Sequence, residues 1–200
     1  RLISKFPHIL FESCASGGGR FDAGMLYYAP QAWTSDDTDA VERLKIQYGT
    51  SMVYPISCMG AHVSAVPNHQ AKRITSIDTR GNVAYFGALG YELDLNKLND
   101  NDKIKIKEQI EFYKKYREII QKGIFYRISS PFENDVNYIA WMIVSEDKNT
   151  SIVGRYRVLN KLNPGYERLR LVGLDNDKQY NIISTGSKYF GDELMNIGLI

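Results

Sequence analysis

Trp33-Thr34-Ser35-Asp36-Asp37-Thr38-Asp39 places three carboxylates within four positions, after a short candidate strand and before a helix pattern. Carboxyls crowded in this way resist joint ionisation, so one of them is driven toward its protonated form. A carboxyl in that state can give its proton to a leaving oxygen as a general acid. Helix capping by Thr38 or Asp37, with further acids favoured by the N-terminal dipole, explains one or two of these groups. It does not explain all three behind a Trp.

Glu12-Ser13-Cys14-Ala15-Ser16-Gly17-Gly18-Gly19-Arg20-Phe21-Asp22 is a second constellation. Glycines after a strand can offer backbone N–H groups to a phosphate, yet neither the GxGxxG nor the P-loop spacing occurs. Cys14 has no His-Asn pair placed to activate it, and a buried structural Cys is the ordinary alternative. His62 and His69 stand seven apart without Cys or acid at ligand spacing. No metal site and no cofactor are expected.

The elements that must carry these residues can be read from texture. Residues 7–16 suggest a buried parallel strand running into the glycines, and residues 30–35 a second strand. Residues 40–48 have apolar side chains at 41, 44 and 48, predicting a helix that stops at Gly49. Residues 59–82 are polar and irregular, and Val83 to Leu95 returns to strand and turn. A long helix is predicted over 102–122, with Ile106, Ile110, Tyr113 and Ile120 on one face and a solvated basic face opposite, ending at Gly123. Beyond it, segments 124–130, 138–145, 152–159, 167–172 and 179–184 read as short strands between Asn, Asp, Gly and Pro turns, the pattern of an antiparallel sandwich. The expected fold class is therefore α/β plus all-β, with a boundary near residue 123.

Composition bounds the function. Apolar residues at 44% of the 200 can build a core, which excludes extensive disorder. A formal net charge of +2 argues against nucleic acid as a partner. Apolar runs fall far short of the roughly 18–20 residues that span a bilayer, so no membrane partner is expected. Two cysteines, Cys14 and Cys58, do not make a disulfide framework. With no signal-peptide pattern at Arg1-Leu2-Ile3-Ser4, a cytoplasmic location is expected. The missing Met suggests part of a longer chain. An aromatic share of 12%, led by Tyr, suits either a carbohydrate surface or a β-rich core.

Taken together, residues 12–22 and 33–39, Arg43-Leu-Lys-Ile-Gln-Tyr-Gly49, Gly60-Ala-His-Val-Ser-Ala-Val-Pro-Asn-His-Gln70, Thr79-Arg-Gly-Asn-Val83, Gly90-Tyr-Glu-Leu-Asp94, Arg127 and Ser129-Ser-Pro-Phe132 closely resemble bacterial α-galactosidases (melibiases) of glycoside hydrolase family 36. The resemblance implies that residues 1–123 are the C-terminal part of a (β/α)₈ TIM barrel, roughly its last three strands, and residues 124–200 a small antiparallel β-sandwich. It implies a retaining exo-α-galactosidase that removes terminal α-1,6-galactose from melibiose, raffinose and stachyose, with the full-length enzyme a homo-oligomer, expected as a tetramer. Carried over by position, Asp36 is the acid/base, and Asp37 is its rival for that role and otherwise a substrate-binding residue. Cys14 and Gly17 line the galactose pocket, and Trp33 supports it. The family's nucleophile lies in a Lys-x-Asp-x-Asn-Arg segment, which these 200 residues lack. The chain alone is expected to be inactive. An α-N-acetylgalactosaminidase or raffinose-type transglycosylase on the same scaffold, or a carbohydrate-binding module, are the competing expectations.

Overall fold

The computed structural model of the chain describes residues 1–14, 21–133 and 135–200. Its contacts gather into two units, Arg1–Gln121 and Lys122–Ile200.

Four short parallel strands follow one another in the first unit: β1 (Glu12–Ser13), β2 (Gln31–Ala32), β3 (Gly60–Ser64) and β4 (Ala88–Glu92). β1 pairs with β2 and β3 with β4, and an Ala32–Met59 bridge links the two pairs. Parallel pairing brings all four C-terminal ends to one edge. Helices α1 (Leu2–Lys5) and α2 (Ala23–Leu26) flank β1, α3 (Ala40–Ser51) and α4 (Ile77–Ala84) supply the next crossovers, and α5 (Asp100–Lys122) follows β4.

Strand alternation sorts the side chains of β3 and β4 onto two faces. Ala61 and Val63 pack with Ile77, Ala84 and Ile106, joined by Leu89 and Tyr91, against the helices. Gly60, His62, Gly90 and Glu92 take the other face. Along α5, Ile106, Tyr113 and Ile120 are buried at seven-residue steps, as the sequence predicts. Gln109 shares that stripe, donating to the Ile77 carbonyl at 2.9 Å and accepting from the Tyr91 hydroxyl at 2.9 Å.

The structure corrects several sequence expectations in this unit. Of the strand expected over 7–16, residues 15 and 16 lie outside the described residues; within 7–14 the strand is Glu12–Ser13, paired with β2 and not buried. Gly49 does not stop α3, which runs to Ser51; a glycine inside a helix costs about 1 kcal/mol and is tolerated where packing compensates. Leu44 is buried as expected, but Val41 and Tyr48 are only partly buried, and Ala40, Arg43 and Gln47 complete the buried stripe of α3. Polar side chains are stable there because Arg43 donates to the Gly60 carbonyl and Gln47 to the carbonyls of Val83 (3.1 Å) and Phe86 (3.3 Å). The supposedly irregular 59–82 stretch contains β3 and α4, the latter capped by Ser76, whose hydroxyl accepts from Thr79 N at 3.1 Å.

The second unit is antiparallel. β5 (Ile124–Ser129), β6 (Tyr138–Val144) and β7 (Ser151–Arg157) form a sheet with β6 central. β8 (Gln179–Asn181) and β9 (Lys188–Phe190) form a hairpin, followed by α6 (Gly191–Asn196). Ala140, Met142 and Val144 of β6 share a core with Leu169, Leu171, Leu174, Tyr180 and Leu194. Residues 167–172 are not the expected strand. Leu169 bridges Leu199, and the alternation of Leu169 and Leu171 records burial in this core without a sheet partner.

At the end of β7, Arg157 donates to Asp135 and Glu167, and Lys161 also reaches Asp135. The Arg157 hydrogen bond, seconded by Lys161, holds the Asp135 carboxyl below its ordinary value. A depressed carboxylate stabilises the fold above the unfolded value, and that contribution disappears as pH falls through the folded one. Asp135→Asn is therefore expected to unfold earlier than wild type near neutral pH. In thermal melts the gap should close as acidification protonates the carboxyl in the folded state.

Among the described residues no helix is long and apolar enough to cross a membrane.

Candidate active site

The C-terminal strand edge collects the residues with chemical capacity. Trp33 directly follows β2, and its backbone N–H donates to the Ser13 carbonyl at 2.8 Å, so Cys14 and Trp33 leave neighbouring strands side by side. Cys14 is an exposed free thiol, not the buried structural cysteine that served as its ordinary reading. Cys58 is buried, and burial pushes its thiol up. Gly17 lies outside the described residues.

Trp33 is 9% exposed and held from several directions. Its ring lies 4.5 Å from that of His62, centroid to centroid, and the Arg43 guanidinium carbon is 5.9 Å from the ring centroid. Gly60 makes room beside it: a Cβ there would sit 3.1 Å from Trp33 Cε3 and 3.3 Å from the Ala32 carbonyl oxygen. His62 in turn lies across Gly90, where a Cβ would come within 2.5 Å of the imidazole. From this seat, the indole Nε1–H donates to Asp36 Oδ1 at 3.0 Å.

The three carboxylates of the 36–39 run do different work. Asp39 caps α3, its Oδ1 accepting from Val41 N (3.0 Å) and Glu42 N (3.1 Å), and it pairs with Arg73. The expected caps, Thr38 and Asp37, are displaced because Asp39 itself has the extended backbone (φ −63°, ψ 127°) that an N-cap requires. Asp37 Oδ1 accepts from Asp39 N at 3.0 Å, tightening the turn. Asp36 is exposed, and its carboxylate accepts one hydrogen bond among the described residues, from the indole.

Charge around this cluster is mixed. Burial lowers the Arg43 guanidinium to about 10, with Asp37 pulling it back up. Burial also lowers the His62 imidazole, against the raising influence of Glu12 and Glu92, while Arg43 lowers it further. Glu92 Oε2 stands 3.9 Å from His62 Nδ1, and Gln31 Nε2 donates to Glu12. Among the described residues no group of three His, Cys, Asp or Glu is placed to hold a metal ion. The arrangement leaves the Asp36 carboxylate exposed beyond β2, with polar side chains such as Glu12, Gln31 and His62 on β1 to β3.

Arg43, His62, Glu12 and Gln31 were not singled out as site residues from sequence. His62 is weighed there as a metal ligand only, and Arg43 enters only within the resemblance to the family. No signal in the sequence alone marks them as a group: Glu12 pairs with Gln31 across β1 and β2, and His62 and Glu92 stand two residues apart in register on β3 and β4, only once the strands are paired.

Comparison with known proteins gives this site a lineage. Residues 1–123 match the family model described as Melibiase, and residues 138–200 match the glycosyl hydrolase family 36 C-terminal domain. The chain is 59% identical over 198 residues to α-galactosidase AgaA of Geobacillus stearothermophilus, covering 99% of this chain and 27% of that protein. It superposes on the crystal structure of the Lactobacillus brevis α-galactosidase with a TM-score of 0.97 at 57% identity, covering 100% of this chain and 27% of that one. An AgaA variant crystallised with raffinose gives a TM-score of 0.95 at 57% identity, covering 99% and 27% respectively. The chain spans about a quarter of the length of these relatives. These matches put the parallel strands and the antiparallel unit within a family of glycoside hydrolases. Within that class, the chain belongs to the melibiase family, glycoside hydrolase family 36.

Proposed function

We propose that this chain is the C-terminal part of a retaining exo-α-galactosidase, with β1 to β4 as closing strands of a (β/α)₈ barrel and residues 124–200 as its appended sandwich. The substrate is a terminal α-1,6-galactosyl residue of a raffinose-type oligosaccharide. Asp36 is the general acid/base. Its protonated carboxyl transfers a proton to the glycosidic oxygen as the bond from that oxygen to C1 breaks. A carboxylate elsewhere in the longer protein forms a bond to C1, giving a covalent galactosyl ester. Water then attacks C1, Asp36 takes a proton from it, and galactose leaves with its configuration retained. Cys14 borders the sugar, and Asp37 shapes the acid loop.

One observation carries this reading: of the three clustered aspartates, Asp36 alone projects from the strand edge with its carboxylate free of the backbone, while Asp37 and Asp39 bind main-chain N–H groups. Asp39 is the least able of the three to give and take a proton, being buried, bound to two main-chain N–H groups and paired with Arg73.

The test uses the full-length enzyme and raffinose, following the released sugar by proton NMR before mutarotation. The first galactose to appear is expected to be the α-anomer. Appearance of the β-anomer first would exclude the double displacement. A panel of nitrophenyl glycosides is expected to favour α-galactoside over α-N-acetylgalactosaminide.

A further inference from the structure

We propose that Trp33 is a positioning residue for proton transfer, its indole N–H fixing the direction in which the Asp36 carboxyl faces the leaving oxygen. This rests on the assignment of Asp36 as acid/base. Three observations support it. The indole N–H has one hydrogen-bond partner, Asp36 Oδ1 at 3.0 Å, so it is not offered to a sugar hydroxyl. The ring is 9% exposed, too covered to serve as a stacking platform for a pyranose. Its orientation is fixed by neighbours that are themselves fixed: Arg43, 2% exposed and tied to the Gly60 carbonyl and Gln47; His62 at 4.5 Å; and Gly60, whose missing side chain leaves the space the ring edge occupies.

Asp36 sits on an exposed turn, four residues beyond the end of β2. With Oδ1 bound to the indole, rotation of the carboxyl is restricted, and Oδ2 is the oxygen left to carry the proton. General acid catalysis requires hydrogen-bond reach to the oxygen being protonated. Misplacement by about 1 Å can cost on the order of 10²-fold. Trp33 thus acts through Asp36 and not on the sugar.

Trp33→Phe keeps an aromatic ring in the same seat and removes the N–H. In the full-length enzyme it is expected to lower kcat/KM for raffinose by about 10–100-fold, with a several-fold smaller loss on nitrophenyl α-galactoside, which needs little protonation. Because kcat/KM reports the first bond-breaking step, the ratio between the two substrates separates aim from binding. Equal losses on both substrates, or no loss on raffinose, would overturn the proposal. Should Trp33→Phe fail to fold, Gly60→Ala serves, because its Cβ pushes on the ring edge without touching the N–H. The same ratio should move, and an unchanged ratio defeats the proposal. Asp36→Asn is run in parallel. If it shows the split and Trp33→Phe does not, the positioning role alone falls. If Asp36→Asn shows none, the acid/base assignment fails and this inference fails with it.

Discussion

Asp36→Asn in the full-length enzyme is expected to reduce kcat/KM for raffinose by about 10²–10⁴-fold, the range that general acid assistance supplies. The loss on nitrophenyl α-galactoside should be far smaller, since nitrophenolate departs without a proton. Asn suits the experiment because its side-chain oxygen can still accept from the Trp33 indole, so the turn between β2 and α3 keeps its hydrogen bond. The α3 cap is also untouched, because Asp39 provides it. Asp37→Asn is the comparison that decides between rivals. Asn at 37 can still accept from Asp39 N, but it removes the carboxylate charge near the buried Arg43 guanidinium, so this change should weaken both substrates together. If Asp37→Asn gave the leaving-group split and Asp36→Asn did not, the two roles would be exchanged. Raffinose hydrolysis near the wild-type rate in Asp36→Asn would remove Asp36 from the mechanism.

The carboxylate cluster was legible in the sequence because acidic side chains in that density, after a Trp and before a helix, have few structural uses. Which aspartate does what was not legible. The answer depends on the backbone angles of Asp39, which no residue type announces, and the expected caps were off by one or two positions. α5 was readable because Ile106, Tyr113 and Ile120 repeat at helical spacing over a long span. β3 was not, since Gly60-Ala61-His62-Val63-Ser64 contains one strongly strand-forming residue. Its composition follows close approach: Ala61 touches the helix layer, Gly60 leaves room for Trp33, and His62 needs the bare backbone of Gly90. Arg43 and Gln47 misled the reading of α3 for a related reason. Their burial is sustained by carbonyls far along the chain, at Gly60, Val83 and Phe86. A helical pattern read residue by residue cannot supply such partners.

The 200-residue chain by itself is expected to release no galactose from raffinose or nitrophenyl α-galactoside. Retention through a double displacement needs two carboxyls about 5–5.5 Å apart flanking the scissile bond, and the Lys-x-Asp-x-Asn-Arg segment in which the resemblance places the attacking one does not occur in these residues. The strand edge does carry other acids, so they must be weighed. Glu12 is engaged by Gln31, and Glu92 faces His62. Asp37 and Asp39 are held by main-chain N–H groups, and Asp39 is also paired with Arg73. Glu12 is the acid best able to replace the nucleophile, because it is exposed and lies on the strand next to Trp33. The decisive comparison is therefore the chain alone, the chain with Glu12→Gln, and the full-length enzyme, each assayed for galactose release. Activity in the full-length enzyme only is the expected result. Release by the isolated chain that disappears in Glu12→Gln would mean that these residues hold a complete pair of carboxyls, and the proposed division of the mechanism between this chain and the rest of the protein would be wrong.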